Sequence, residues 1–255
     1  MSPRVFVGGA AFDQVSHRQL IDRVAGALGL GQGGTIVTPN IDICARLRKD
    51  QASRKLVASA SLVVPDGMPL LWAARLAGRP LTERITGSDL IFSLSEAAAR
   101  HGWPVHLVGG QPSVAQLAAA RLSERFPGLV VTGAYTPPER FDAAAGDIEP
   151  LRKELTGAEP KIVFVGLGFP KQERLITRLV PDLPGTWFVG CGAAIPFAAG
   201  QFRRAPAWLQ RLGLEWVYRL VSEPRRLAGR YLGRDLPFAA SLLLTSLFRR
   251  ISGAS

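Results

Sequence analysis

Cysteine and histidine are scarce in this chain, with two of the first and three of the second in 255 residues. Cys44 and Cys191 stand far apart and His17, His101 and His106 are scattered, so no metal-ligand spacing exists. Two isolated thiols fit a reducing compartment, where the plain reading is a pair of small buried side chains. No sustained apolar stretch reaches the ~20 residues that a membrane span needs. Leu236–Phe248, thirteen residues, is too short to cross. The N-terminus, Met-Ser-Pro-Arg-Val-Phe-Val-Gly-Gly, lacks the apolar core expected of a secretory leader. Familiar nucleotide signatures are missing too. No Gly-Lys-Ser/Thr follows a glycine-rich loop, and Gly166-Leu167-Gly168 and Gly190-Cys191-Gly192 both lack the third glycine of a dinucleotide fingerprint. No Asp-x-Asp pair offers two carboxylates to a divalent metal.

What the chain does have is positive charge. The formal net charge is +11, and the segment from Gln201 to Ser255 alone holds ten arginines, no lysine and three acids. Such a surface favours anionic partners: nucleic acid, acidic lipid or phosphorylated substrates. The basic segment carries no RNA-binding aromatic motif and no recognition helix, so nucleic acid is not the expected partner.

Ahead of that segment the chain alternates strand and helix. Strands are predicted at Gly34–Val37, Ser61–Val64, Val105–Val108, Leu129–Thr132, Lys161–Val165 and Thr186–Val189. Helices are predicted at Ile41–Ala58, Met68–Leu76, Ser88–Arg100 (capped by Ser88 or Asp89), Ser113–Arg125, Ile148–Leu155 and from Pro170 onward. This rhythm predicts an α/β fold: a Rossmann-like, mostly parallel sheet with helices on both faces. The character changes after Gly200. A catalytic domain over 1–200 and a basic, partly apolar helical appendage over 201–255 are therefore expected.

The strand ends carry the unusual residues, and parallel strands bring those ends to one edge. Thr38-Pro39-Asn40, Pro65-Asp66-Gly67, Gly109-Gly110, Gly133-Ala134-Tyr135 and Gly166-Leu167-Gly168-Phe169-Pro170-Lys171-Gln172-Glu173 would converge there. The glycines admit a ligand to the backbone, and a helix opening at Pro170 offers free N–H groups to an anion. Asp66 suits either an Asx-turn or a general base. Arg84, just before a helix, is either a solvated loop arginine or a phosphate clamp. Arg219, Arg225, Arg226 and Arg230, interleaved with Trp216, Tyr218 and Tyr231, suit an anionic bilayer surface or a diphosphate. Leu236–Phe248 either lies in that interface or forms an ordinary amphipathic helix on the core.

Six blocks in order carry a resemblance. They are Thr38-Pro39-Asn40, Pro65-Asp66-Gly67-Met68-Pro69, Arg84-Ile85-Thr86-Gly87-Ser88-Asp89, Leu107-Val108-Gly109-Gly110, the Gly166–Glu173 run, and Arg204-Ala205-Pro206-Ala207-Trp208 with Leu214–Leu220. Over roughly residues 5–231 the chain resembles the WecG/TagA/CpsF bacterial glycosyltransferases, glycosyltransferase family 26. The resemblance implies inverting sugar transfer without a metal or other cofactor. The donor would be a UDP-sugar of N-acetylmannosamine, N-acetylmannosaminuronic acid or glucose type, and the acceptor a polyprenyl-diphosphate-linked sugar. The enzyme would sit in the cytoplasm, peripheral to the inner face of the cytoplasmic membrane, and act in surface polysaccharide synthesis. Asp66 matches the family's base, Thr38, Asn40, Arg84 and Gln172 the polar pocket around it, and the C-terminal arginines a membrane-docking segment. Where the family has Phe-Asp, this chain has Ile195-Pro196 and lacks a carboxylate. The alternatives are a UDP-sugar-binding protein without catalysis and a basic nucleic-acid-binding protein.

Overall fold

The computed structural model describes residues 3–138, 141–202, 205, 206, 209, 215–222, 228, 229 and 231–251. It opens with a hairpin that the sequence reading leaves out. Strands β1 (Arg4–Val7) and β2 (Ala10–Asp13) pair antiparallel around Gly8 and Gly9, both at positive φ (63° and 92°), as a tight two-residue turn demands. Asp13 then ties the hairpin to the main sheet. One carboxylate oxygen accepts from the Arg4 guanidinium (3.1 Å) and the other from the Val63 backbone N–H (2.9 Å), a donor on an edge strand. Helix α1 (His17–Gly29), also unforeseen, starts in a capping box of Ser16 and Gln19.

Six parallel strands follow: β3 (Gly34–Val37), β4 (Leu62–Val63), β5 (Val105–Gly109), β6 (Val131–Tyr135), β7 (Ile162–Gly166) and β8 (Trp187–Gly190), in the spatial order β4-β3-β8-β7-β5-β6. Both faces are covered, as the near-continuous apolar strand sequences require. On one face Ile36, Leu62, Leu107, Phe164 and Val189 pack under α1, α5 (Gly87–His101), α6 (Val114–Arg125) and α9 (Ala194–Ala198). On the other, Val37 and Val63 pack with the hairpin, α2 (Ile41–Leu47), α3 (Gln51–Ala58) and α4 (Met68–Leu76). Val163, Val165 and Phe188 pack on that face with α7 (Glu149–Ala158) and α8 (Lys171–Leu179).

Three local expectations change. The single helix over Ile41–Ala58 is two, because Asp50 adopts an extended conformation and caps α3, its carboxylate accepting from the Ala52 N–H and the Ser53 hydroxyl. Helix α5 is capped by Thr86, not by Ser88 or Asp89; its hydroxyl oxygen accepts from the Asp89 N–H at 3.0 Å. Strand β6 begins later and runs through Tyr135, so Gly133-Ala134-Tyr135 lies within a strand rather than beyond its end.

The described part of the C-terminal segment packs in part on this core. Helix α10 (Glu215–Ser222) precedes α11 (Leu236–Ile251), and α11 lies against α4. Leu242 is buried, and Phe238 and Leu243 join the cluster of Leu70, Ala73 and Ala74. The Arg48 guanidinium sits 4.6 Å from the centre of the Phe238 ring, and Arg234 pairs with Asp42 of α2. The opposite side of α11 leaves Leu244, Leu247, Phe248 and Ile251 exposed. Packed helix and bare apolar face are thus two sides of one element. No helix among the described residues is long and apolar enough to cross a membrane.

Glycine placement offers a direct check. At Gly109 (φ 122°) an added Cβ would come within 2.6 Å of the Gly166 carbonyl oxygen, whereas at Gly26, inside α1, it would meet nothing within 4 Å. Gly109→Ala is expected to cost about 1–3 kcal/mol and Gly26→Ala to add about 0.5–1 kcal/mol, read by urea unfolding. Equal effects of the two would contradict this packing.

Candidate active site

The carboxyl ends of five strands are laced together by specific contacts. After β4, the Asp66 N–H donates to the Pro39 carbonyl (3.0 Å), and the Pro65 carbonyl accepts from the Ile85 N–H (3.0 Å). Asp66 thereby stands between the Thr38-Pro39-Asn40 loop and the Arg84-Ile85-Thr86 loop, half-buried, at the start of α4. Gly67 follows it at φ 149°. The buried Thr38 hydroxyl donates to the Gly190 carbonyl (3.5 Å), joining β3 to β8. The Gln172 Oε1 accepts from both the Gly168 N–H (3.1 Å) and the Gly192 N–H (3.0 Å), joining β8 to β7. Gly109 closes the row by resting on the Gly166 carbonyl.

This lacing brings Thr38, Asp66, Arg84, Gly109, Gly110, Gly166, Gly168 and Gln172 to one edge, as the sequence predicts. Their roles differ. Asn40 is exposed and caps α2, its side-chain oxygen accepting from the Ile43 N–H at 3.0 Å. Gly109 and Gly166 exist for backbone packing: a Cβ on Gly166 would strike the Gly192 carbonyl and the Ile195 side chain. Gly168 (φ 75°) and Gly192 (φ 53°) face open space, and these are the glycines that leave backbone accessible. Helices α4, α6 and α8 all begin here without a side-chain cap; the Leu70, Val114 and Gln172 N–H groups are taken by the Gly67, Gln111 and Gly168 carbonyls, and the remaining first-turn N–H groups are what the helix starts offer an anion. Lys171 is exposed at the head of α8.

Two expectations for the site are revised, and a third falls outside the described residues. Tyr135 lies on β6, five strand spacings from β4, or about 24 Å across the sheet. It is remote from Asp66; burial and the Glu154 and Asp147 carboxylates push its phenol up. Glu173 does not line the cleft. It is buried at 3% exposure beneath the cleft floor, with one oxygen accepting from the Gln172 amide (2.8 Å) and the other without a hydrogen-bond partner. Arg225, Arg226 and Arg230 lie outside the described residues, as does the side chain of Arg219.

Ile195 and Pro196 sit in the first turn of α9. Ile195 is buried beneath Gly110 and Gly166. Pro196 supplies neither a carboxylate nor a backbone N–H at that helix start. Both cysteines are inert, since burial pushes Cys44 and Cys191 up to about 12. His106, fully buried, is pushed down to about 4 by desolvation; it is therefore neutral at pH 7 and makes no ion pair with Glu154, 3.3 Å away.

Burial pushes Glu173 up to about 7 from its ordinary 4.5. The folded protein therefore holds this proton across a window in which the unfolded chain has lost it. Stability should fall as pH rises from about 4.5 to about 7 and level off above, by up to about 1.4 kcal/mol per pH unit. Urea unfolding across that window should show this component, and Glu173→Gln should lack it. Identical slopes would place the group in water.

Known proteins match this chain closely enough to place it. The sequence model of the glycosyl transferase WecG/TagA/CpsF family matches residues 5–252. The match includes α11, which the motif-based resemblance leaves out. A Bacillus spizizenii (strain ATCC 23059 / NRRL B-14472 / W23) protein is 31% identical over 199 residues, 78% of this chain and 75% of its own. A Bacillus subtilis (strain 168) protein is 30% identical over 194 residues, 76% and 73% respectively. Both are named N-acetylglucosaminyldiphosphoundecaprenol N-acetyl-beta-D-mannosaminyltransferase. With five of the six ordered motifs gathered at one sheet edge and a match spanning nearly the whole chain, the protein belongs to the WecG/TagA/CpsF family of glycosyltransferases.

Proposed function

We propose that this glycosyltransferase moves a sugar, N-acetylmannosamine in the first instance, from a UDP-sugar to a hydroxyl of a polyprenyl-diphosphate-linked N-acetylglucosamine. Transfer proceeds with inversion and without a metal. The observation that carries the reading is the placement of Asp66, held by backbone bonds between the Thr38 and Arg84 loops at the ligand-binding edge of the sheet. Asp66 takes the proton of the acceptor hydroxyl as the oxygen attacks the anomeric carbon. UDP leaves from the opposite face, and its growing negative charge meets Arg84, Lys171 and the uncapped starts of α6 and α8. One displacement on an α-linked donor gives a β-linked product, and the relatives are named for a β-linked mannosaminyl product.

The acceptor's lipid places the reaction at a membrane, on the cytoplasmic side where nucleotide sugars are made. The exposed apolar side of α11, with Arg250 exposed near its end, supports a peripheral docking surface for anionic lipid. The excess of arginine after Gln201 supports it further. Deleting 201–255 is a poor test, because it would also strip α4 of its cover. Surface substitution is cleaner. Leu244→Ser with Phe248→Ser is expected to cut flotation with phosphatidylglycerol vesicles at least tenfold while unfolding stays unchanged. Undiminished flotation would remove α11 from the membrane contact.

For the chemistry, UDP release is measured with a panel of UDP-sugars, a GlcNAc-diphosphoprenol acceptor and EDTA. Release that depends on the acceptor and on one donor is expected. Asp66→Asn should keep donor binding and lose about 10²–10⁴ in turnover. Full turnover of that variant would take Asp66 out of the base role. UDP binding without release from any donor would favour the non-catalytic reading.

A further inference from the structure

We propose that Glu173 is a positioning residue for transfer: from beneath the cleft floor it orients the Gln172 carboxamide, so that one amide oxygen holds the Gly168 and Gly192 loops at a fixed separation. The inference rests on the proposed site, in that these two loops are taken to cradle the donor's diphosphate.

The argument begins with the symmetry of a carboxamide. A primary amide has an accepting end and a donating end of nearly the same shape. At Gln172, 4% exposed, two backbone N–H groups converge on one end, at 3.1 and 3.0 Å. Only the oxygen satisfies them; a flipped amide would set NH₂ against both. The flip is decided at the other end. The Nε2 donates to Glu173 Oε1 at 2.8 Å, an acceptor in both the protonated and the ionised carboxyl. Both side chains are buried, Gln172 at 4% and Glu173 at 3% exposure.

Glu173 is an expensive residue to keep for packing. Its Oε2 is shut from solvent without a hydrogen-bond partner, a cost that a leucine or methionine would not carry. Burial raises its titration to about 7, and no charged neighbour among the described residues contributes to that shift. The one titratable group it acts on there is the Cys191 thiol of the adjoining strand end, itself neutral. What the residue supplies is the single acceptor that fixes Gln172. The loops so fixed are the two whose glycines face open space, Gly168 and Gly192.

The test uses the full-length protein and three variants. Glu173→Leu removes the acceptor, Glu173→Gln restores one acceptor oxygen, and Glu173→Met replaces the leucine variant if that one does not fold. Amide hydrogen exchange by NMR reads the clamp without reference to activity. Gly168 and Gly192 are expected to lose at least tenfold protection in the leucine or methionine variant and to recover it in the glutamine variant. UDP affinity by calorimetry should follow, weakening at least tenfold and recovering to within threefold. Unchanged protection at both amides without the acceptor, or failure of glutamine to restore it, would overturn the inference. A wild-type protein with protected amides but no affinity for UDP would instead overturn the diphosphate reading and leave the clamp standing.

Discussion

One oxygen atom, Oε1 of Gln172, receives the backbone N–H groups of two loops that leave neighbouring strands. Several other contacts along the cleft lie next to that junction. Thr38 reaches the Gly190 carbonyl one residue before Cys191 and two before Gly192. Gly87, at the start of α5, packs against the Cys191 carbonyl, and Gly109 packs against Gly166 at the end of β7. An all-parallel sheet has no hairpin turns to hold its strand ends in place. Here small side-chain and backbone contacts do that work, and a cleft with defined walls results.

The same design explains why so many glycines gather at this edge and why they are not equivalent. Some are there because two backbones meet at a distance that excludes a Cβ. Others, Gly168 and Gly192, leave open space where a side chain would stand, while their N–H groups are held by Gln172. The thiols and the buried histidine of this scaffold are neutral, so under the proposed function the charge of a diphosphate would be met by helix starts and by arginine. Pro196 leaves the start of α9 without one backbone donor.

Much of the fold can be read in the chain, because strands buried on both faces announce themselves as apolar runs and their ends as Gly, Pro, Asn and Asp. The cleft residues at Thr38, Asp66, Arg84 and Gln172 are legible for the same reason. Strand order is not. Nothing local in Gly133-Ala134-Tyr135 says that β6 lies at the edge farthest from β4, and Tyr135 is misplaced in consequence. Glu173 reads as a cleft residue beside Lys171 and Gln172, but adjacent helix positions face different ways, and only the packed helix tells which is inside. The hairpin at Gly8-Gly9 was available, since two glycines between alternating apolar residues form a strong turn signal. Asp50 breaks the long helix because its carboxylate offers an N-cap stronger than helix continuation.

The docking of α11 on α4 bears on how such a chain can change over generations. Helix α4 begins at Met68, two residues after Asp66, and its buried face is shared between the sheet and α11. The tail is therefore no interchangeable cassette. A chimera that took its last helix from a distant relative would have to take matching residues at Leu70, Ala73 and Ala74 as well. Those lie within eight residues of the acid, so the part of the chain most exposed to its surroundings and the part closest to the chemistry are bound to vary together.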